Sequence, residues 1–197
     1  MRLRRLALLA SVLLGALTVG GPAAVAATPV TATVEAQQVR GLGPLAELVI
    51  QRLLVGDLVA AAKFGTGRPI DDPVREQQVL DAVRAKAGPL GLDPEGTVRF
   101  FQDQITANKA VQRGLFAFWT RHPDRAPATR PDLAVIRQRL DELTTSLLAE
   151  LVSTKDTRRP DLRCRVLLLE AEVTGSLQHR LDRLHRRALD TGTQSIC

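Results

Sequence analysis

The stretch DLAVIRQRLDELTTSLLAEL, residues 132–151, decides the class of fold. Asp132 is a helix N-cap residue, and Leu133, Ile136, Leu140, Leu143, Leu147 and Leu151 recur at the three- and four-residue spacing of one helix face. The same pattern repeats outward from it. Upstream, Asp93-Pro94 sets a cap residue before a first-turn proline and opens a long helix to about Trp119. Its apolar positions Val98, Phe101, Ile105, Leu115 and Trp119 keep helical spacing. Asp72-Pro73 opens another helix, ending at Gly88-Pro89, with Val79, Leu80 and Val83 inward. Gly65 to Pro69 separates it from a first helix, Pro44 to Phe64, whose inward positions are Leu45, Leu48, Val49, Leu53 and Val59 and whose candidate bend is Gly56-Asp57. Downstream of residue 151, Thr154 to Pro160 breaks the chain and the remainder reads as helix.

The composition agrees. The chain is rich in helix formers, has no tyrosine, and lacks the Asn-Gly and Asp-Gly turns that mark hairpins. The expected fold is all-α, a single-domain helical bundle over residues 44–197, preceded by a weakly patterned tail, 27–43. Residues 1–26 read as a signal peptide: Arg2, Arg4 and Arg5, a short apolar run from Leu6 to Val19, then Ala24-Val25-Ala26 as the cleavage signal. Secretion, or export to a periplasm, is the expected localisation, with cleavage near Ala26. The apolar run falls short of the roughly 20 residues a membrane span needs. No second such run follows, so no membrane association is expected once the signal is removed.

Of 27 basic and 21 acidic residues, the signal holds three basic and none acidic, which leaves the rest at 24 − 21 = +3. That mild, interspersed charge gives no support for nucleic-acid binding and is compatible with a small anionic ligand. The two cysteines, Cys164 and Cys197, are too far apart for redox or zinc motifs. In an oxidising compartment such a pair is ordinarily a disulfide, the alternative being two free thiols. A bonded pair forbids one straight helix, whose ends would lie roughly 40 Å apart at 1.5 Å per residue. Thr174-Gly175-Ser176 is the expected break, giving a helical hairpin pinned at its ends.

Polar residues on apolar stripes are the functional signal. Arg52 and Lys63, eleven residues apart, share one face of the first helix, either as solvent-edge cations or as pocket groups. Asn108 and Gln112 sit between Ile105 and Leu115 and need partners, from a structural network or a ligand. Arg137 lies between Leu133 and Leu140 on an inward face, where a guanidinium requires an anion. Arg75 occupies a first turn, against the helix dipole, with Asp72 and Glu76 near enough to neutralise it. Four helices each offering a donor describe an anion pocket inside a bundle. His122, His179 and His185 lack metal-ligand spacing, so no metal site is expected; His179 to Arg187 reads as a solvated face. No nucleophile has an evident base, and no Gly-rich phosphate loop opens a helix.

The chain resembles the all-helical AroQ class of chorismate mutases, in particular its exported gamma subclass, from about Leu45 to Cys197. The resemblance is carried by Arg52, Lys63-Phe64, Pro69-Ile70-Asp71-Asp72, Arg75-Glu76-Gln77, Asp103-Gln104-Ile105, Asn108, Gln112, Arg137 and the tail from Arg187-Ala188-Leu189 through Thr193-Gln194-Ser195 to Cys197. It implies an isomerase acting on chorismate by a [3,3] rearrangement, without a cofactor, covalent intermediate or proton transfer. It places Arg52 and Arg137 on the substrate carboxylates, Lys63 and Gln112 on the ether oxygen, and Glu76 on the ring hydroxyl with Asp72 beside it. Arg75 would bind directly or hold Glu76. Asn108 stands where relatives commonly have a small hydroxyl residue, and Gln112 where they have Gln or Glu. The resemblance further implies a Cys164–Cys197 bond and a homodimer. The competing reading is an exported helical protein that binds a small dianion without catalysis.

Overall fold

The computed structural model describes residues 41–197; the signal-peptide reading and the part of the tail up to residue 40 lie outside the described residues. The chain there forms α1 (Gly43–Lys63), α2 (Pro73–Ala87), α3 (Pro94–Arg121), a 3₁₀ turn (Pro123–Arg125), α4 (Leu133–Ser153), α5 (Leu162–Gln178) and α6 (Arg183–Gly192), with no strand among the described residues. The fold is all-α, as expected.

Five of these helices begin on an aspartate. Asp72, Asp93, Asp132, Asp161 and Asp182 each accept a backbone N–H of the first turn, at 3.1, 2.7, 2.7, 2.8 and 2.9 Å. Each satisfies a donor that the helix start would leave free. Only α1 lacks a side-chain cap. It is held by burial instead, because Leu45, Ala46, Val49, Ile50, Leu53, Val55, Val59, Ala60, Ala61 and Ala62 are buried around it. A helix buried around most of its circumference belongs inside, and α1 packs against α3, α4, α5 and α6. α2 packs on α3, and α6 on α3 and α1.

Two glycines have a different purpose from the one expected. Gly56 does not bend α1, which is continuous; a Cβ there would lie 2.9 Å from Asn108 Nδ2. The absence of a side chain lets α3 approach. Gly175 likewise does not break the last helix. It sits buried within α5, where a Cβ would collide with Ile50 Cδ1. The hairpin turns instead at His179–Asp182, with Arg180 in the left-handed region at φ 50° and Asp182 capping α6. The Cys164–Cys197 disulfide closes it, with Cα atoms 5.8 Å apart. Tying residues 33 apart removes roughly 3–4 kcal/mol of unfolded-chain entropy in the loop-closure account.

The histidines also depart from the solvated-face reading. His179 Nε2 meets Glu47 Oε2 at 2.8 Å. His185 is buried, with Nε2 2.9 Å from Asp57 Oδ1 on α1 and Nδ1 2.8 Å from Asp182 Oδ1. Alternating charges along the run hid these contacts, since the carboxylates Glu47 and Asp57 come from the distant first helix. The hydrogen bond to Asp57, helped by Asp182 and opposed by burial, raises the His185 pKa to about 9.

Folding therefore favours protonated His185. Its stabilisation is fully present below pH 6.5 and lost as pH rises through about 9. A shift of that size is worth about 3 kcal/mol at most, since both carboxylates remain partly in solvent. Thermal unfolding across this range is expected to show a falling Tm for the wild type and a lower, flatter one for His185→Gln. Parallel curves for the two proteins rule the account out.

Candidate active site

A cavity of about 150 Å³ lies between α1, the start of α2, α3 and α4. Arg52, Lys63, Asp72, Arg75, Glu76, Asn108, Gln112 and Arg137, each singled out from the sequence, all line it. Three helical turns bring Arg52 and Lys63 to the same wall of α1, with Val59 between them. The end of α1 is fixed by Phe64, whose ring stands edge-on to Phe116 and Trp119 at 5.2 Å.

Arg52 is only 6% exposed. Its Nη1 donates to Leu140 O at 3.1 Å and to Thr144 Oγ1 at 3.2 Å, and its guanidinium lies 5.8 Å from the centre of the Phe101 ring. No carboxylate pairs with it among the described residues. Burial lowers its pKa to about 10, partly offset by the field of Asp141. Lys63 donates to Ile70 O at 3.1 Å. Burial lowers its pKa as well, against the pull of Asp72, and Arg137 adds to the lowering.

Across the cavity, α3 presents a short amide chain. Asn108 Nδ2 donates to the Arg52 carbonyl at 3.4 Å, and Asn108 Oδ1 accepts from Gln112 Nε2 at 2.8 Å. Gln112 Oε1 is buried without a hydrogen-bond partner among the described residues. Glu76 Oε1 accepts the Asp72 backbone N–H at 3.2 Å, and its Oε2 meets Lys109 Nζ at 2.8 Å. That contact, with a second to Asp71 at 3.2 Å, raises the Lys109 pKa against burial.

Two positions differ from expectation. Arg75 pairs neither with the Asp72 nor with the Glu76 carboxylate; it reaches Asp141 on α4 at 3.5 Å. Arg137 is exposed at the mouth of the cavity, not buried. α4 packs mainly on α1, so the N-terminal half of its stripe, with Leu133 and Leu140 half-buried, overlooks the open pocket.

Sequence reasoning missed Lys109, Thr144 and Asp141, which also line the cavity, and named Gln104 only within the family motif without a site role. Lys109 follows Ile105 by four residues and Thr144 follows Arg137 by seven. Helical spacing therefore marked both, but each reads as an ordinary surface residue beside its neighbours. Gln104 donates to Gly192 O, tying this wall to α6. The lining holds five cations, Arg52, Lys63, Arg75, Lys109 and Arg137, against three carboxylates, Asp72, Glu76 and Asp141. No histidine, cysteine or serine is among the lining residues. The arrangement supplies directed donors and excess positive charge, suited to a compact anion, and no nucleophile with a base.

The sequence pattern that defines chorismate mutase type II matches residues 44–113, which cover α1, α2 and most of α3. Over 161 residues the chain is 38% identical to the secreted chorismate mutase of Mycolicibacterium smegmatis, spanning 79% of this chain and 86% of that protein. It is 36% identical over 160 residues to the secreted chorismate mutase of Mycobacterium tuberculosis, 80% of either chain. The crystal structure of chorismate mutase from Burkholderia phymatum superposes with a TM-score of 0.74 at 39% identity, covering 79% of this chain and 95% of that one.

An unpaired buried guanidinium is a local cost to the fold. Replacing Arg52 with methionine, of similar length, is expected to leave the protein as stable or to stabilise it by roughly 1–2 kcal/mol in urea unfolding. Destabilisation by more than about 2 kcal/mol would mean that the charge is compensated within the protein.

Proposed function

This chain belongs to the type II chorismate mutases, and on that basis we propose that the cavity between α1, α2, α3 and α4 is its catalytic centre, with each lining residue in a defined role. As a chorismate mutase it rearranges chorismate to prephenate, an intramolecular [3,3] shift. We place it accordingly among the intramolecular transferases of the isomerase class. Such a reaction asks two things of a protein: to hold the compact reactive conformer, and to stabilise charge developing on the ether oxygen.

The observation that carries the assignment is Arg52, a buried cation with no protein carboxylate beside it. A substrate carboxylate supplies the missing partner, and a planar guanidinium suits bidentate pairing. Arg137, free at the mouth, receives the second carboxylate. Lys63 and Gln112 converge on the ether oxygen. A glutamine nitrogen carries two hydrogens, and Asn108 takes one, leaving the other for the substrate. Asn108 thus positions Gln112 and the Arg52 backbone in addition to bordering the substrate. Glu76 accepts from the ring hydroxyl, held in place by Lys109 and the Asp72 N–H. Asp72 closes that end, and Arg75, drawn toward Asp141, borders the carboxylate subsite.

Export is the second part of the proposal. The N-terminal signal pattern and the names of the secreted relatives support it, and the Cys164–Cys197 bond suits an oxidising compartment. The resemblance to the gamma subclass supports a homodimer.

Loss of chorismate absorbance by residues 27–197 is the direct test. Lys63→Ala should lower kcat/KM by on the order of a thousandfold while the fold is retained. No turnover by the folded wild type would leave a dianion-binding protein. The pH dependence tests two residues separately. The kcat/KM of the free enzyme should fall on the alkaline side below the ordinary lysine value of 10.5, since burial lowers Lys63. On the acid side, Gln112 donates at any pH, whereas Gln112→Glu should gain activity as pH falls and its carboxyl becomes protonated. A wild-type rate rising steeply below neutrality would remove Gln112 from the ether oxygen.

A further inference from the structure

α5 carries apolar residues on two opposite faces. Cys164, Ala171 and Gly175 are buried, with Leu167 and Leu168 partly so, on the side that packs against α1. Leu162, Val166, Leu169, Val173 and Leu177 point the other way and are 77, 55, 61, 51 and 74% exposed. At 3.6 residues per turn these five fall within roughly 80° of arc, opposite the buried row. The other exposed large apolar side chains are distributed over α1 to α4 and the turn after α2. Single exposed apolar residues are ordinary, but a continuous row along one helix marks an interaction surface.

The flanks of the row define what fits it. Arg163 and Glu170 lie along one side, Arg165 and Glu172 along the other, and on each side the arginine precedes the glutamate by two helical turns. Arg163, Arg165 and Glu170 are exposed and make no ion pair among the described residues. If a second copy of α5 is laid antiparallel on the first, Leu162 of one copy comes level with Val173 of the other, and Val166 with Leu169. Arg163 of one then faces the exposed Glu170 of the other on both sides of the two-fold axis, with Arg165 level with Glu172, whose half-buried carboxylate also accepts from Thr193 Oγ1. A parallel pairing brings arginine level with arginine and glutamate with glutamate. The face is therefore complementary to itself in one orientation.

We propose that the outer face of α5 is the seam of a two-fold homodimer in which the two α5 helices pack antiparallel. The inference rests on the homodimer reading and names its surface. α5 contributes no residue to the catalytic cavity, so each site stays complete within one protomer.

Sedimentation equilibrium of residues 27–197 tests both levels. The wild type is expected to be a dimer. Leu169→Asp should raise its dissociation constant about a hundredfold or more, with chorismate turnover per protomer retained. Arg163→Glu should weaken the dimer about tenfold, and adding Glu170→Arg to the same chain should restore it to within about threefold. A monomeric wild type overturns the homodimer and the seam together. A dimer indifferent to Leu169→Asp overturns the seam alone. Failure of Glu170→Arg to rescue Arg163→Glu overturns the antiparallel arrangement.

Discussion

Arg52 carries a permanent charge into the wall of the core, and its protein partners are a carbonyl, a hydroxyl and the face of an aromatic ring. A cation in that position ordinarily reaches out to water along its methylene stem. Here it is prevented, because α1 is enclosed by α3, α4, α5 and α6 and the guanidinium is closed in by Leu140, Thr144 and Phe101. The apolar packing of α1 offsets the cost of holding the charge there. In return the charge acts on an anion in a medium far less screening than water. Asn108 bonds the carbonyl of the same residue, so the amide chain that ends at Gln112 is referenced to the same point of α1.

The carboxylates around the pocket are arranged one step outward. Asp141 answers Arg75, Glu76 answers Lys109, and Asp71 is shared by Lys109 and Arg113, the latter at 2.7 Å. The outer cations are thus largely neutralised within the protein, while Arg52, Lys63 and Arg137 keep their charge available to an occupant. Neutralising all five would leave nothing to select a dianion, and neutralising none would weaken the fold around the start of α2. This partition is the electrostatic design of the site. It lets a chain of mild overall charge keep a pocket lined by more cations than carboxylates.

Local chemistry was the part of this architecture that could be read from the chain. Asp72-Pro73, Asp93-Pro94 and Asp132 are start signals that act within one helical turn, and the stripe of α4 encodes most of its inward face. On α3, by contrast, Phe101 and Trp119 are buried but Val98, Ile105 and Leu115 only partly so, beside the buried Phe100, Ala107 and Val111. The pocket residues were visible for a related reason: a polar side chain on an apolar stripe contradicts its surroundings. What could not be read depends on pairs distant in sequence. Gly175 looks like a breaker until Ile50 is seen against it, and His185 looks solvated until Asp57 arrives from α1. Arg137 fits its stripe, but whether that stripe faces a core or an opening depends on how many helices pack on α4. Lys109 beside Asn108 offers no contradiction of its own, and its role appears only with Glu76 and Asp71 in place.

The approach of α3 to α1 at Gly56 has a consequence for how such a chain can vary. With Asn108 Nδ2 only 2.9 Å from where a Cβ would stand, position 56 is not free to grow while the asparagine is in place. An alanine at 56 meets the asparagine amide, whereas a shorter side chain at 108 removes the obstruction and at the same time releases the Arg52 carbonyl and Gln112. Substitutions at the two sites are non-additive and ordered, with contraction at 108 preceding any growth at 56. Positions 56, 108 and 112 therefore form a single heritable unit, and the amide that lines the cavity also limits how closely two helices of the core can lie.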